Sequence, residues 1–463
     1  VKLTVLSNRF IPVIYSVVSL LLLFCVNHLE LVTDLELSII YVLIQIISIF
    51  VAWYLSRKSL GIFIMFQLTF SLFIGGRFFA YLLNPTLDID IFEPTYFFDY
   101  NVSTERKIEI YSYVLLFVIF SVLGYSLTRR KNNFKYVLNL SVRESSVRRI
   151  SKIGDVLFPV FAVCTLWPAF DTLKEAMSGG GYLLLYATQS DEYSSGENFV
   201  PNLILFFFSF AFVYGDKSQQ RKYLILYLLN SVLTLLIGAR GGIGALFLFM
   251  IWIYSLKHRI NLYKLFVGSV LAMVLLLFLF SFSVRAAEYG DSSFSINTLL
   301  TSISVFLYTQ GISLMVFDAS RLIDVYPFIG YLQVFIPGAT FFYGLMGNSL
   351  LPQDFSFTYH MCYELNPSLY VNGNGLGWSV LSDVYLFSFG YIWIFTVLSF
   401  LIGSAFGILE VLSEKYVFYR YIVFYIFMAC MLIPRGAGLI PLLIYGVVYL
   451  FLFRLITFEK NKS

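Results

Sequence analysis

Two arginines stand in turns between apolar runs, each flanked by small residues: Gly238-Ala239-Arg240-Gly241-Gly242 and Pro434-Arg435-Gly436-Ala437-Gly438. A guanidinium grips phosphate oxygens through a planar fork of N–H donors, and neighbouring glycines let a bulky anionic head group come close. The other reading of such a position is anchoring, with a helix-end arginine reaching back to the interface. An arginine costs about 2.5–3.5 kcal/mol at the centre of a bilayer on insertion scales. The same chemistry at two tips therefore points to an anionic partner for both. Arg77, in Gly75-Gly76-Arg77-Phe78, and Arg285, in Ser283-Val284-Arg285-Ala286-Ala287-Glu288, are further candidates, with an interior ion pair and an interfacial anchor as their respective alternatives. Lys174 and Arg321 lie in acidic loops and read as solvated.

A site for an anion also needs groups that move protons. His360 lies in the polar, aromatic stretch Phe357-Thr358-Tyr359-His360-Met361-Cys362-Tyr363-Glu364, and imidazole titrates near neutrality, which suits a general base. A lone histidine is also commonly structural. The run Asn372-Gly373-Asn374-Gly375-Leu376-Gly377-Trp378-Ser379 leads into Asp383 and Tyr385. It lacks the Gly-Lys-Ser/Thr of a nucleotide loop and reads as a turn packed against substrate or membrane. Asp88-Ile89-Asp90 has the spacing of a metal-binding carboxylate pair, but Glu93 and Asp99 nearby make it read as a solvated acidic loop, so no metal and no cofactor is expected.

The elements that must position these residues are transmembrane helices. The chain of 463 residues is 59% apolar and 13% charged, a composition that excludes a soluble protein and leaves no room for a separate soluble domain. It also lacks the basic, aromatic-interleaved polar surface that nucleic acid needs. The four cysteines, Cys25, Cys164, Cys362 and Cys430, have no metal-ligand spacing and read as small core residues. Twelve apolar segments are expected: Phe10–Val26, Leu37–Leu55, Leu60–Leu83, Ile108–Thr128, Ile153–Phe170, Phe199–Tyr214, Tyr223–Ile237, Ile243–Leu256, Leu262–Phe282, Leu381–Leu409, Tyr416–Ile433 and Leu439–Ile456. The first reads as a membrane helix, since no small-residue cleavage site follows it.

Charge orients them. With the N-terminus inside, 23 of the 31 Lys and Arg fall on the cytoplasmic side and 21 of the 27 acidic residues on the other. Both termini are then expected on the cytoplasmic side, as is the basic loop 129–152, whereas loops 171–198 and 283–380 are expected on the outer side. In the long loop, Ile296–Phe317 and Phe328–Met346 are apolar but broken by Gln310, Gly311, Pro337 and Gly338, and read as surface or re-entrant helices. Gly403 and Gly407 read as a small-residue packing face. No internal repeat is visible, which argues against an alternating-access transporter. Tyr223–Ile237, at fifteen residues, makes about 22 Å of helix, so the Arg240 tip is expected to sit below the membrane surface, at the depth of lipid phosphates.

The helices around Gly238–Gly242, the run Asn374-Gly375-Leu376-Gly377-Trp378-Ser379 into Tyr385 and Phe389-Gly390, the late outer loop and Arg435 resemble the Wzy-type O-antigen and capsule repeat-unit polymerases. The resemblance spans most of the chain in layout and rests on short motifs. It implies a metal-independent GT-C glycosyltransferase of the bacterial inner membrane, working on the periplasmic face. Donor and acceptor would be undecaprenyl-pyrophosphate-linked oligosaccharides, and membrane lipids and a chain-length regulator protein would be further partners. It also implies Arg240, Arg435, Arg285 and Arg77 on pyrophosphate; His360, Asp383 or Glu288 as base; and Asn374, Tyr385 and Tyr182 on substrate. An O-antigen ligase of the same fold and a lipid-linked oligosaccharide flippase are the alternatives.

Overall fold

The computed structural model describes residues 2–28, 33–56, 60–85, 89–94, 100–129, 144–180, 199–258, 296–336, 350–371, 375–436 and 439–456, with a few isolated positions between them. The expected ninth span Leu262–Phe282 lies almost wholly outside these residues, as do Asp88, Tyr182, Arg285, Glu288 and Asn374.

Every regular element among the described residues is helical. Those of eight residues or more are, in chain order, α1 (Lys2–His28), α2 (Asp34–Leu55), α3 (Ile62–Phe73), α4 (Gly76–Leu83), α5 (Thr104–Arg129), α6 (Glu144–Glu175), α7 (Phe199–Tyr214), α8 (Lys217–Ile237) and α9 (Gly241–Lys257). They continue with α10 (Ile296–Gln310), α11 (Ser313–Ser320), α12 (Phe328–Phe335), α13 (Phe357–Leu365), α14 (Val380–Phe387), α15 (Ile392–Lys415), α16 (Val417–Cys430) and α17 (Leu439–Ile456). Helices suit this chain because a lipid-facing backbone must satisfy its own hydrogen bonds.

Five helices are long and apolar enough to cross a membrane: Asp34–Leu55, Thr104–Arg129, Glu144–Ser178, Leu300–Ser320 and Ile392–Lys415. The bent pair α3–α4 is a sixth candidate, and five shorter apolar helices accompany them. The chain is thus a multi-pass membrane protein. Three expectations change. Leu60–Leu83 is not one straight helix: it breaks at Gly75 and turns by 63°, because Gly75 and Gly76 lie hard against the Tyr41 hydroxyl and the Leu307 carbonyl. Leu300–Ser320, expected as a surface or re-entrant helix, has the length and apolarity of a span. Leu381–Leu409 is divided at Ser388–Tyr391, where Phe389 and Gly390 take φ of 52° and 75°, so Asp383 and Tyr385 sit on a separate short helix.

The centre of the molecule is the pair α5 and α15. Tyr113 meets Phe395 edge to face, and the Arg129 guanidinium pairs with Glu410 and Glu414. Residue numbers thus rise together along the contact, and the two helices run parallel. A side chain at Gly403 would collide with the Ser121 carbonyl, and one at Gly124 with the Phe400 carbonyl. Backbone contact of this kind is how helices associate where water cannot drive them together. The expected packing role of Gly403 and Gly407 therefore holds. Gly403→Leu should cost about 3 kcal/mol, at the upper end for overpacking, since no rotamer escapes a carbonyl. Thermal unfolding in detergent checks this, and an unchanged midpoint would contradict so close an approach.

Charge clusters mark the two ends of α5. At its C-terminal end Glu410, buried, accepts from the Tyr125 hydroxyl at 2.7 Å and from the Phe63 amide at 3.0 Å, so it caps the start of α3. At the other end Asp318, fully buried, accepts both Oδ contacts of Arg106 Nε at 2.9 and 3.0 Å. Arg106 and Arg129 are separated by about 34 Å of helix, close to the thickness of a bilayer's hydrocarbon.

Candidate functional site

The two arginine tips come together. Arg240 occupies the N-cap position of α9, and a Cβ placed on Gly241 would lie 3.5 Å from Leu432, just before the second tip. Arg240 Cζ lies 5.4 Å from the centre of the Phe306 ring. Arg435 ends the 3-10 turn Ile433–Arg435 and donates from Nη1 to Gln310 Oε1 at 3.2 Å. Phe306 and Gln310 are four residues apart on α10, about 6 Å along its axis, so both guanidiniums contact one helix face. Gly241 and Gly242 are exposed at the first turn of α9, where unpaired N–H groups and the helix dipole add positive potential.

The helix lengths behind these tips differ from expectation. The helix before Arg240 is extended by polar residues to 21 residues, Lys217–Ile237, about 32 Å. The depth of the tip is therefore not set by a short helix.

Arg435 is followed by Gly436 at φ +119°, a left-handed conformation that glycine adopts without strain. A Cβ there would lie 2.9 Å from that of Trp378. The Trp378 indole in turn donates Nε1 to Asp383 Oδ1 at 2.7 Å. A chain of contacts thus runs from the Arg435 turn to Asp383. Burial pushes the Asp383 carboxyl up to about 6, against the lowering effect of the Trp378 bond.

Other candidates are placed differently. His360 lies with Nδ1 3.1 Å from the Gln353 carbonyl and Nε2 3.1 Å from the Val325 carbonyl. Both ring nitrogens thus face backbone carbonyls of the chain itself, which hold the ring on two sides. Arg77 is 1% exposed and donates Nη1 to the carbonyls of Ile91 and Glu93 at 2.9 and 2.7 Å, with Tyr308 4.5 Å under its Cζ. It pins the 91–93 segment. Tyr385 is stacked edge-on against Tyr113 and Phe317, its ring 5.4 Å from Arg321 Cζ. Asp90 accepts from the Phe92 amide at 2.9 Å and from Lys107 at 3.3 Å.

Arg321, read from the sequence as solvated, has a side chain only 7% exposed. Its guanidinium pairs with Glu109 and, at 3.5 Å, with Asp318, and sits among Tyr113, Phe317 and Tyr385. Two signals pointed this way: Asp318 within a helical turn of Arg321, and acidic Glu109 near the start of a long apolar helix. Gln310, noted only as an interruption, is the side chain that receives Arg435.

Fold and site define a polytopic membrane protein, helical in every regular element of its described residues, in which two arginine-bearing tips meet one helix face. A model of the O-antigen polysaccharide polymerase Wzy family matches residues 10–462, nearly the whole chain, and the protein belongs to that family. Comparison with curated proteins and with solved structures gives no match.

Proposed function

We propose that this chain polymerises undecaprenyl-pyrophosphate-linked oligosaccharide repeat units into O-antigen or capsular polysaccharide at the periplasmic face of the inner membrane. The carrying observation is the convergence of Arg240 and Arg435, from separate hairpins, on one face of α10, with Asp383 joined to the second tip through Trp378.

In this scheme a hydroxyl of the acceptor's sugar attacks the anomeric carbon of the donor's reducing-end sugar. A new glycosidic C–O bond forms as the bond from that carbon to pyrophosphate breaks, and undecaprenyl pyrophosphate leaves with the electron pair. Arg240, Arg435 and the first turn of α9 stabilise the charge that grows on the leaving group. Asp383 takes the hydroxyl proton; its elevated pKa makes it a stronger base than a solvated carboxylate while it stays ionised at neutral pH. His360, the first choice from sequence, becomes a structural clip between Val325 and Gln353.

The lipid-linked glycans of a deletion strain test this reading. One-repeat carrier accumulating on the outer leaflet supports polymerisation. Unflipped carrier on the inner leaflet would instead make the protein a transporter, and full-length polymer left on the carrier would make it a ligase.

A further inference from the structure

The arginines at this end of the molecule fall into two kinds. Arg106 and Arg321 are neutralised by carboxylates of their own chain, Asp318 and Glu109. Arg435 is exposed, and its partners among the described residues are both uncharged: the Gln310 side-chain oxygen at 3.2 Å and the Phe73 ring, 5.9 Å from Cζ. A glutamate in place of Gln310 would hold Arg435 at least as firmly, since charge-assisted pairs are the stronger ones. It would also cancel the charge. A glutamine of the same length fixes the guanidinium and leaves its charge for a ligand.

The direction of the amide adds a second point. A guanidinium can only donate, so the atom of Gln310 facing Arg435 is its oxygen, and the NH2 group points elsewhere. Among the described residues that NH2 group has no acceptor, and Gln310 is only partly buried, at the last position of α10. The NH2 group therefore offers two donors beside the exposed guanidinium.

We infer that Gln310 is a pyrophosphate-binding residue, its oxygen holding Arg435 in place and its amide N–H groups donating to the same diphosphate. This rests on the proposed role of Arg435, and it assigns the anion a third, neutral ligand. Gln310 serves specificity as well as affinity: its geometry suits an acceptor-rich diphosphate and its neutrality leaves the charge of Arg435 uncancelled.

The test is binding of undecaprenyl diphosphate to the full chain in nanodiscs, with inorganic pyrophosphate as competitor, for the wild type, Gln310→Ala, Gln310→Leu, Gln310→Glu and Arg435→Ala. Gln310→Ala and Gln310→Leu should weaken binding about tenfold, the loss of hydrogen bonds to a charged group. Gln310→Glu should weaken it by about a further tenfold, although it keeps Arg435 in place, because it adds like charge. A Gln310→Glu protein that binds as well as wild type overturns the inference. So does wild-type binding by the two apolar variants. Failure of Arg435→Ala to weaken binding would remove the reading beneath it; loss there with wild-type affinity in Gln310→Glu would remove only the role of Gln310. Competition by inorganic pyrophosphate shows that the site reads the diphosphate; none would mean the lipid tail carries the binding, which contradicts the assignment.

Discussion

Replacing Arg435 by alanine is expected to lower polymerisation turnover by about 10²–10³-fold, the range seen when one preorganised donor to a developing anion is removed. Arg240→Ala should act in the same range. The reason is geometric: both guanidiniums contact α10, at Phe306 and Gln310, one helical turn apart. Arg435→Lys keeps the charge but loses the planar fork, and should fall between wild type and alanine. The double alanine variant should lose less than the product of the two single effects, as expected for groups that act on one charge. Turnover measured with lipid-linked repeat units in nanodiscs checks this. Wild-type rates from both single variants would make the tips membrane anchors.

Asp383→Asn carries the second large effect, a loss of about 10²–10⁴-fold in turnover, the usual contribution of a general base. The pH dependence has a definite sign. The carboxyl titrates at about 6 in the folded protein, and only its ionised form accepts a proton. The rate should therefore be flat above about pH 6 and fall tenfold per unit below it. This acid limb belongs to the rate and not to unfolding. A carboxyl whose pKa is raised on folding binds its proton more tightly in the folded state, so acid stabilises the fold through this group and rising pH removes that contribution. His360→Ala should keep turnover within a few-fold and lower the unfolding temperature, since it loses contacts to two carbonyls. An inactive but stable His360→Ala, with active Asp383→Asn, would return the base to the histidine.

Much of this site was legible in the chain and some was not. Arg240 and Arg435 were visible because glycine and proline mark the turns and charge stands out against apolar runs. Their convergence was not visible, since it depends on α10, whose Gln310 reads in sequence as a defect in an apolar stretch. The break before α15 is hidden for a related reason: Leu381–Leu409 is continuously apolar, and the turn is made by backbone conformation at Phe389 and Gly390, to which hydropathy is blind. Arg321 was misread because its acidic surroundings suggest water. In the fold those acids are its partners, and Glu109 arrives from a helix more than two hundred residues earlier in the chain. The close contact of α5 with α15 was half legible: the spacing of Gly403 and Gly407 announces a packing face, while the identity of the partner helix comes only from the fold.

The most direct test of the central claim is the purified protein in nanodiscs supplied with undecaprenyl-pyrophosphate-linked single repeat units and no other protein. A ladder of longer lipid-linked glycans should appear, with one undecaprenyl pyrophosphate released for each linkage made. Unchanged single units, or transfer only when lipid A–core is added, would contradict polymerisation as the activity of this chain.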